Sequence, residues 1–251
     1  MSVLLADIGG THARFAILKS GKISDIYRYR CSDFKSAYMA IRSFLLMQIE
    51  MPENAVIAMA GVIINGKGKW TNLPWTLDEK KLKKQFGFRS VLLVNDLIPQ
   101  GEGISCLKST DVILLNHVKP QKKLLKVLMS LGTGVGACII SKDIVYPTEY
   151  GQTVLPNRQT LEKSLLGHDN FYYDLALAAQ NLALLTQPMG GLYITGGMLS
   201  ATNLKKEGVI KQFTNHPTMQ ALLKKVPVYL VVNRDLAFLG LSKLAKKSCL
   251  T

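Results

Sequence analysis

Two glycine-centred segments constrain the fold of this chain more than any other feature. Residues 3–18 contain two apolar, strand-like runs separated by a Gly-Gly-Thr turn at 9–11. The arrangement recurs in residues 126–141, where a Gly-Thr-Gly turn at 132–134 separates two apolar runs. Strand, glycine turn and strand predict a β-hairpin. Because no GxGxxG segment follows a strand and opens a helix, we expect an α/β fold other than the dinucleotide-binding one.

Helix-like and strand-like patterns alternate through the rest of the chain. Helical spacing of apolar residues and a basic helical segment predict helices over 34–50, 77–86, 171–185 and 236–247. Short apolar runs predict further strands over 23–29, 56–60, 91–94, 192–195 and 226–232. No low-complexity linker separates the halves. We therefore predict two α/β domains packed against each other, with the glycine turns facing one cleft.

Composition indicates a globular protein with a large core. The 251 residues are 48% apolar and 19% charged, and no apolar run approaches the roughly 20 residues that span a bilayer. Met1 to Leu5 enters a strand pattern without a basic leader, so we expect a cytoplasmic protein. Four scattered cysteines lack a CxxC pair, which favours reduced thiols over disulfides or a zinc site.

The net charge of +14 comes largely from lysines in separate clusters along the chain. Such spread favours attraction of anionic ligands over one organised nucleic-acid surface. A nucleic-acid patch stays an alternative, although no helix-turn-helix, RNA-binding or zinc-finger pattern accompanies the charge.

The two glycine turns have the composition of phosphate-binding loops. Glycine lets the backbone approach phosphate oxygens closely, and Thr11 can donate a further hydrogen bond. Asp7, at the end of the first strand, can hold a magnesium ion through water. An ordinary hairpin turn is the alternative for either segment alone, but two in matching strand contexts favour a nucleotide site.

Two further groups of polar or glycine residues lie at strand ends. Asn95 and Asp96 follow the predicted strand 91–94, where a carboxylate beside an amide can hold a hydroxyl in line for reaction. A turn that merely ends the strand is the alternative. The pairs at 190–191 and 196–197 allow either a nucleotide base against bare backbone or close packing of helix on strand.

Five elements of the chain occur in an order typical of one enzyme family. The first is Asp-Ile-Gly-Gly-Thr-x-Ala-Arg-Phe-Ala at 7–16. It is followed by Thr71-Asn72-Leu73-Pro74-Trp75, by Phe86-Gly87-Phe88 with Val94-Asn95-Asp96, by Gly132 to Gly136, and by Asn181 to Leu184 with Gly190-Gly191 and Gly196-Gly197. Together they resemble bacterial glucokinases, in the actin-like ATPase superfamily that also contains hexokinases and sugar kinases. The resemblance covers nearly the whole chain.

The resemblance implies a fold and a set of ligands. It implies an α/β fold of two actin-like ATPase (ribonuclease H-like) domains, with mixed sheets around a central cleft. The small domain would comprise residues 1–106 and the C-terminal helix 236–251, and the shortened large domain residues 107–235. The implied ligands are ATP, Mg²⁺ and a small-molecule sugar, with no membrane and no nucleic acid, and a homodimer is left open.

The family's residue roles carry over where positions match. Asp96 would be the catalytic base that accepts the proton of the sugar hydroxyl. The implied sugar-binding residues are Asn72, Asn95, Asp96, Glu149, Gln152 and Glu162. The implied ATP- and phosphate-binding residues are Asp7, Gly9, Gly10, Thr11, Gly132, Thr133, Gly134, Gly196 and Gly197.

The chain departs from the family pattern on the sugar side. Glu149-Tyr150-Gly151-Gln152 stands where the family has Glu-Gly-Gly-His, so an amide replaces a titratable ring and a bulky residue replaces glycine. Glu162 lies in a divergent segment, and a surface charge in a helix's first turn is the alternative for it. Helical material is missing both between Gln152 and Glu162 and after Glu162. The family's relatives with a cysteine-rich zinc motif are a different branch.

The predicted activity is ATP-dependent phosphorylation of a hexose, most simply glucose to glucose 6-phosphate in glycolysis. One alternative is a sugar- or nucleotide-binding regulator with weak or no catalysis. Others are a kinase for another hexose or an amino sugar, and an enzyme that uses polyphosphate as donor.

Overall fold

The structure, a computed structural model, describes residues 2–121, 124–154, 160–166, 171–197, 199 and 206–248. Parts of the stretch with missing helical material, residues 155–159 and 167–170, therefore lie outside the described residues, as does Cys249. The chain divides into two compact units, Met1–Cys106 with Asp235–Thr251, and Leu107–Arg234. The boundaries expected from the sequence differ by one residue, Asp235. Its carbonyl accepts the amides of Phe238 and Leu239, so it starts the last helix.

The first unit contains a six-stranded main sheet and a small three-stranded second sheet. Its elements up to residue 103 are β1 (Ser2–Ile8), β2 (His12–Lys19), β3 (Lys22–Ile23), β4 (Tyr27–Arg30), α1 (Ala37–Leu45), β5 (Asn54–Met59), β6 (Gly61–Ile64), β7 (Lys67–Trp70), β8 (Thr76–Asp78), α2 (Glu79–Phe86), β9 (Ser90–Asn95) and α3 (Leu97–Gly103). The main sheet has the order β3-β2-β1-β5-β9, with β4 also paired to β2, and β6-β7-β8 form a separate sheet.

The second unit contains one six-stranded sheet. Its elements are β10 (Val112–Leu114), β11 (Lys126–Leu131), β12 (Val135–Ser141), β13 (Ile144–Thr148), α4 (Leu161–Leu166), α5 (Phe171–Thr186), β14 (Gly191–Gly196), α6 (Lys206–Thr214), α7 (Gln220–Leu223) and β15 (Val228–Val231). The strand order is β10-β15-β14-β11-β12-β13. The last helix, α8 (Leu236–Ser248), belongs to the first unit.

The two units repeat one topology. In the first, β1 is antiparallel to β2 and parallel to β5, which is parallel to β9. In the second, β11 is antiparallel to β12 and parallel to β14, which is parallel to β15. Both predicted hairpins are therefore confirmed, and each glycine turn joins the two central antiparallel strands of its sheet. The expected α/β fold with mixed sheets is confirmed.

The sheet of the first unit is covered on both faces. Leu4, Ala6 and Ile8 point into a core shared with α1, whereas Val3 and Leu5 point into a core shared with α8. A central strand buried on both faces has to be apolar at nearly every position, which explains the unbroken run at the start of the chain.

The structure corrects three predicted elements, two of them through local capping. The helix expected over 34–50 is limited to α1, because Ser36 Oγ accepts the Met39 amide at 3.3 Å and caps its start. The helix expected from residue 77 starts two residues later, since Asp78 ends β8 and caps α2 through the Lys81 amide at 3.1 Å. The strand expected over 23–29 is two short strands, β3 and β4, and both pair with β2.

The small sheet β6-β7-β8 was missed by sequence reasoning, and it supports the first glycine turn. Trp70 and Trp75 are buried and meet edge-to-face with ring centroids 5.9 Å apart. The Trp70 indole nitrogen donates to the Ile8 carbonyl at 3.2 Å, one residue before the turn. The hairpin end is therefore held by a buried hydrogen bond from outside its own sheet.

Helices α3 and α8 pack closely through glycines. A Cβ at Gly240 would overlap the Pro99 carbonyl oxygen and lie 2.6 Å from the Pro99 carbonyl carbon. Nearby, the buried carboxylate of Glu102 contacts Lys243 Nζ at 2.7 Å and Lys247 Nζ at 2.9 Å. Burial alone would raise the pKa of Glu102, but hydrogen bonds and charge from the two lysines outweigh it and lower that pKa.

Candidate active site

The first glycine turn, Gly9 to Thr11, exposes backbone at the end of β1. Gly9 donates to the His12 carbonyl at 2.9 Å, and the Cys31 amide donates to the Thr11 carbonyl at 2.9 Å. Apart from Gly10 and its chain neighbours, no atom of the described residues lies within 4 Å of the position that a Cβ at Gly10 would take. A phosphate can therefore approach this backbone without meeting a side chain.

Asp7 is paired with Arg14 across the hairpin. The two residues face each other in the β1–β2 register, and Arg14 Nε contacts Asp7 Oδ2 at 3.1 Å, with a second contact from Nη2. The Arg14 guanidinium also lies over the Phe238 ring, 5.5 Å from its centroid. Arg14 was assigned no role from sequence, although counting residues across the turn places it opposite Asp7.

The pairing leaves Asp7 suited to a magnesium ion. Arg14 Nε and Nη2 both contact Oδ2, and a carboxylate offers about four lone-pair positions. Magnesium in phosphoryl-transfer sites usually keeps several waters and needs few protein carboxylates. The donor set at this strand end therefore fits an ion held through water. Within the described ranges, no three or more His, Cys, Asp or Glu side chains group as metal ligands.

A basic strip adjoins the first turn. His12 pairs with Arg30, and Arg14 with Arg28, in the β2–β4 register. Burial first, and then the charges of Arg28, Arg30 and Arg14, lower the pKa of His12. Its ring nitrogen Nδ1 lies 3.3 Å from Arg28 Nη2. Burial and these cations thus disfavour a positive charge on the imidazole, and the local field favours anions.

Asn95 and Asp96 lie where β9 ends and α3 begins. Asn95 Nδ2 donates to the Gly61 carbonyl at 3.2 Å, and its Oδ1 accepts the Leu97 amide at 3.0 Å. Asp96 is the N-cap residue of α3, and its side chain makes no capping hydrogen bond. The Asp96 amide donates to the Met59 carbonyl at 3.0 Å. Asn95 therefore fixes the backbone that presents the half-buried Asp96.

Asn72 is not one of the partners in the two hydrogen bonds of the Asn95 side chain. It is exposed in the turn 71–74 between β7 and β8. The ends of that turn are fixed, because the Trp70 amide donates to the Trp75 carbonyl at 3.2 Å. The turn thus has a rigid base and an exposed polar tip.

The second glycine turn, 132–134, has one open side and one covered side. The Gly132 amide donates to the Gly134 carbonyl at 2.9 Å. Among the described residues beyond its chain neighbours, no atom lies within 4 Å of the position that a Cβ at Gly132 would take. Thr133 is exposed. On the covered side, Glu162 Oε2 accepts the Val135 amide at 3.1 Å. Glu162 is therefore more than a surface charge.

The predicted sugar segment contains a short 3₁₀ turn, Tyr150–Gln152, and this turn packs against β12. Tyr150 hydroxyl donates to the Ala178 carbonyl at 2.7 Å, and burial raises the pKa of Tyr150 to about 12. The bulky residue that replaces glycine thus packs into the core of its unit. Glu149 and Gln152 are exposed, and Gln152 Nε2 donates to Glu162 Oε2 at 3.4 Å.

The glycines around β14 divide between packing and open surface. Gly196 has φ +152°, and a Cβ there would lie 2.7 Å from the Leu131 carbonyl carbon. A Cβ at Gly190 would lie 2.9 Å from the Leu125 carbonyl oxygen. These two positions require glycine for close backbone packing. Gly197 is exposed, and among the described residues beyond its chain neighbours no atom lies within 4 Å of its Cβ position, so it presents bare backbone to a ligand.

The structure therefore brings the predicted residues together in three groups, each within one unit. Asp7 and the first turn form one group, and Asn95 with Asp96 form another. In the second unit, Gln152 and Glu162 lie beside the second turn.

None of the helices in the described part of the chain is long and apolar enough to cross a bilayer.

Solved structures share this architecture. A glucokinase from an Antarctic psychrotroph is 23% identical with a TM-score of 0.80, covering 98% of this chain and 99% of that chain. A ROK family glucokinase from Streptomyces griseus, solved with glucose and AMPPNP, is 16% identical with a TM-score of 0.66, covering 98% and 100%. The chain thus has the fold of these sugar kinases.

Sequence comparison gives the family. A family model described as Glucokinase matches residues 4–170 and 168–248, which together span most of the chain. The chain belongs to the glucokinase family. A glucokinase of Nostoc punctiforme is 26% identical over 333 aligned positions, covering 96% of this chain and 98% of that protein. Since the chain has only 251 residues, the relative carries internal segments that are missing here. The two matched parts meet at residues 168–170, after Glu162, where the sequence predicts missing material.

Proposed function

We propose that this chain is an ATP-dependent hexose kinase that converts glucose to glucose 6-phosphate. The observation that carries the proposal is the repeated hairpin turn. Each unit presents one glycine turn at the same point of the same topology, and each turn keeps a bare, open glycine, Gly10 or Gly132. Membership of the glucokinase family, and the AMPPNP and glucose in the Streptomyces griseus structure, support this choice of donor and acceptor.

On the acceptor side, Asp96 is the proposed catalytic base. As a sugar hydroxyl attacks the γ-phosphorus, its proton passes to the Asp96 carboxylate, and the bond between phosphorus and the bridging oxygen of ADP breaks. Asn95 keeps the Asp96 backbone in place through its bonds to Gly61 and Leu97. We propose that Asn72, Glu149, Gln152 and Glu162 contribute sugar contacts.

On the donor side, backbone amides of the two turns, with the hydroxyls of Thr11 and Thr133, are proposed to bind phosphate oxygens. Gly197 would leave room for the adenosine. Asp7 would hold Mg²⁺ through water, and the ion would supply neutralising charge for the phosphates. The basic strip beside the first turn adds a field that favours the anionic donor.

A coupled assay of ADP release with a panel of hexoses and amino sugars tests the proposal. We expect turnover with glucose and a loss of at least about 10³-fold in kcat for Asp96→Asn. The control is Asp25→Asn, an exposed aspartate of the same unit, which should leave kcat unchanged. Sugar or nucleotide binding without turnover for any sugar would replace the enzyme with a binding regulator.

A second candidate is a kinase for another hexose or an amino sugar. It is favoured by Gln152, which stands in place of a histidine and already donates to Glu162. Turnover of mannose or an acetylated amino sugar, with glucose inert, would decide for it.

In either case we propose a cytoplasmic enzyme that feeds glycolysis. Sedimentation velocity would test whether the chain forms a homodimer, and a polyphosphate donor is tested by replacing ATP in the same assay.

A further inference from the structure

The carboxylate of Glu162 is bonded to the second glycine turn itself. Its Oε2 accepts the Val135 amide at 3.1 Å, directly after Gly134. A Cβ at Gly134 would lie 2.5 Å from the same oxygen and 3.0 Å from Glu162 Cδ. A side chain at 134 would push the carboxylate away from its present position. The contact therefore depends on the residue types at both positions.

Several contacts fix where Glu162 stands. The amide of the preceding Leu161 donates to the Thr153 carbonyl at 2.9 Å, and Leu161 and Leu165 are buried in the core of the unit. Gln152 Nε2 donates to the oxygen that also accepts the Val135 amide. A chain of two hydrogen bonds thus runs from the proposed sugar segment through Glu162 to the proposed phosphate turn.

We propose that Glu162 is a positioning residue for the second phosphate turn. By holding the Val135 amide, its carboxylate fixes the backbone conformation that the turn 132–134 presents to a phosphate. A carboxylate accepting a backbone amide is a charge-assisted hydrogen bond, about twice as strong as a neutral one. This role is separate from any contact to sugar. It rests on the proposed function in one respect, that the turn binds phosphates of the nucleotide.

The role predicts that Glu162 affects nucleotide binding when no sugar is present. Isothermal titration of the full chain with AMPPNP and Mg²⁺, at constant ionic strength and without sugar, measures this. We expect the Kd of Glu162→Ala to rise about tenfold, the lower end for losing a hydrogen bond to a charged group. Glu162→Gln keeps the size and a neutral acceptor, so its Kd should rise about threefold.

Two controls separate this role from a sugar contact. Glu149→Ala removes an exposed carboxylate of the same segment and should leave the AMPPNP Kd within about twofold. Hydrogen exchange of a peptide covering 131–136 gives a readout that needs no ligand. Exchange of the Val135 amide should be faster in both Glu162 variants than in Glu149→Ala, because its acceptor is lost or weakened.

The outcomes are distinct. An AMPPNP Kd and a Val135 exchange rate that both match wild type in Glu162→Gln, with only the glucose KM raised, would overturn the inference and leave the proposed function intact. If wild type itself binds no nucleotide, both are overturned. Should Glu162→Ala lose its circular dichroism signal of folding, the Glu162→Gln measurements decide alone.

Discussion

Replacing Gly240 by alanine tests whether the α3–α8 contact controls the position of Asp96. A Cβ at residue 240 would overlap the Pro99 carbonyl oxygen and lie 2.9 Å from the Gly103 amide nitrogen. These are backbone atoms of α3, which cannot turn aside as a side chain can. Helix α3 begins directly after Asp96. Any outward movement of α3 therefore acts on the proposed base.

The expected magnitude follows from the geometry. The distance from this Cβ to the Pro99 carbonyl carbon would be 2.6 Å, whereas ordinary contacts begin at 3.4 Å, a shortfall of 0.8 Å. Overpacking of this kind destabilises by about 1–3 kcal/mol, and the better helix propensity of alanine returns about 1 kcal/mol. We expect a net loss of about 2 kcal/mol at the upper end of that range. A shift near 1 Å at Asp96 would lower kcat about 100-fold.

Tryptophan fluorescence during urea unfolding reports the stability of the first unit. Both tryptophans of the chain, Trp70 and Trp75, are buried in the first unit, which also contains Gly240. Gly208→Ala, at an exposed position of α6 in the second unit, is the matched control and should leave this transition unchanged. A Gly240→Ala protein with wild-type midpoint and wild-type kcat would refute the reasoning.

Two further predictions concern the first unit. The pKa of Glu102 is lowered in the folded state, so its contribution to stability is complete above the unfolded value near 4.3 and is lost as the pH falls below it. The urea midpoint of wild type should therefore drop more steeply between pH 5 and about pH 3 than that of Glu102→Gln, and equal slopes would contradict this. In a Cys249→Ser background, exposed Cys106 should react with a thiol reagent at pH 8 far faster than Cys31, whose pKa is raised to about 11 by burial. Replacement of Cys106 by serine should remove the fast phase.

Short-range pattern was enough to predict the site's backbone. The apolar runs on either side of 9–11 and 132–134 can form hairpins by themselves, since a glycine turn and its flanking strands are neighbours in sequence. The end of β9 at Asn95 follows from the same local logic, whereas helix α3 was not predicted. Because one hairpin recurs in each half of the chain, a fold of two α/β domains could be predicted.

Bonds between distant segments could not be predicted in this way. The side-chain hydrogen bond from Trp70 to Ile8 spans 62 residues. The requirement for glycine at 196 comes from the neighbouring Leu131 carbonyl, whereas the sequence reading assigned Gly196 to the nucleotide and kept packing as the alternative. Each of these depends on which surfaces meet.

The sequence by itself determined that this chain forms two similar α/β units with a bare glycine turn in each, because periodicity and turn chemistry are properties of adjacent residues. Only the tertiary structure decided what surrounds those turns. It placed Arg14 over Phe238, turned Tyr150 into the core, and put Glu162 against the Val135 amide. These contacts join residues far apart in the chain, and their geometry is set by packing of whole elements rather than by local preference.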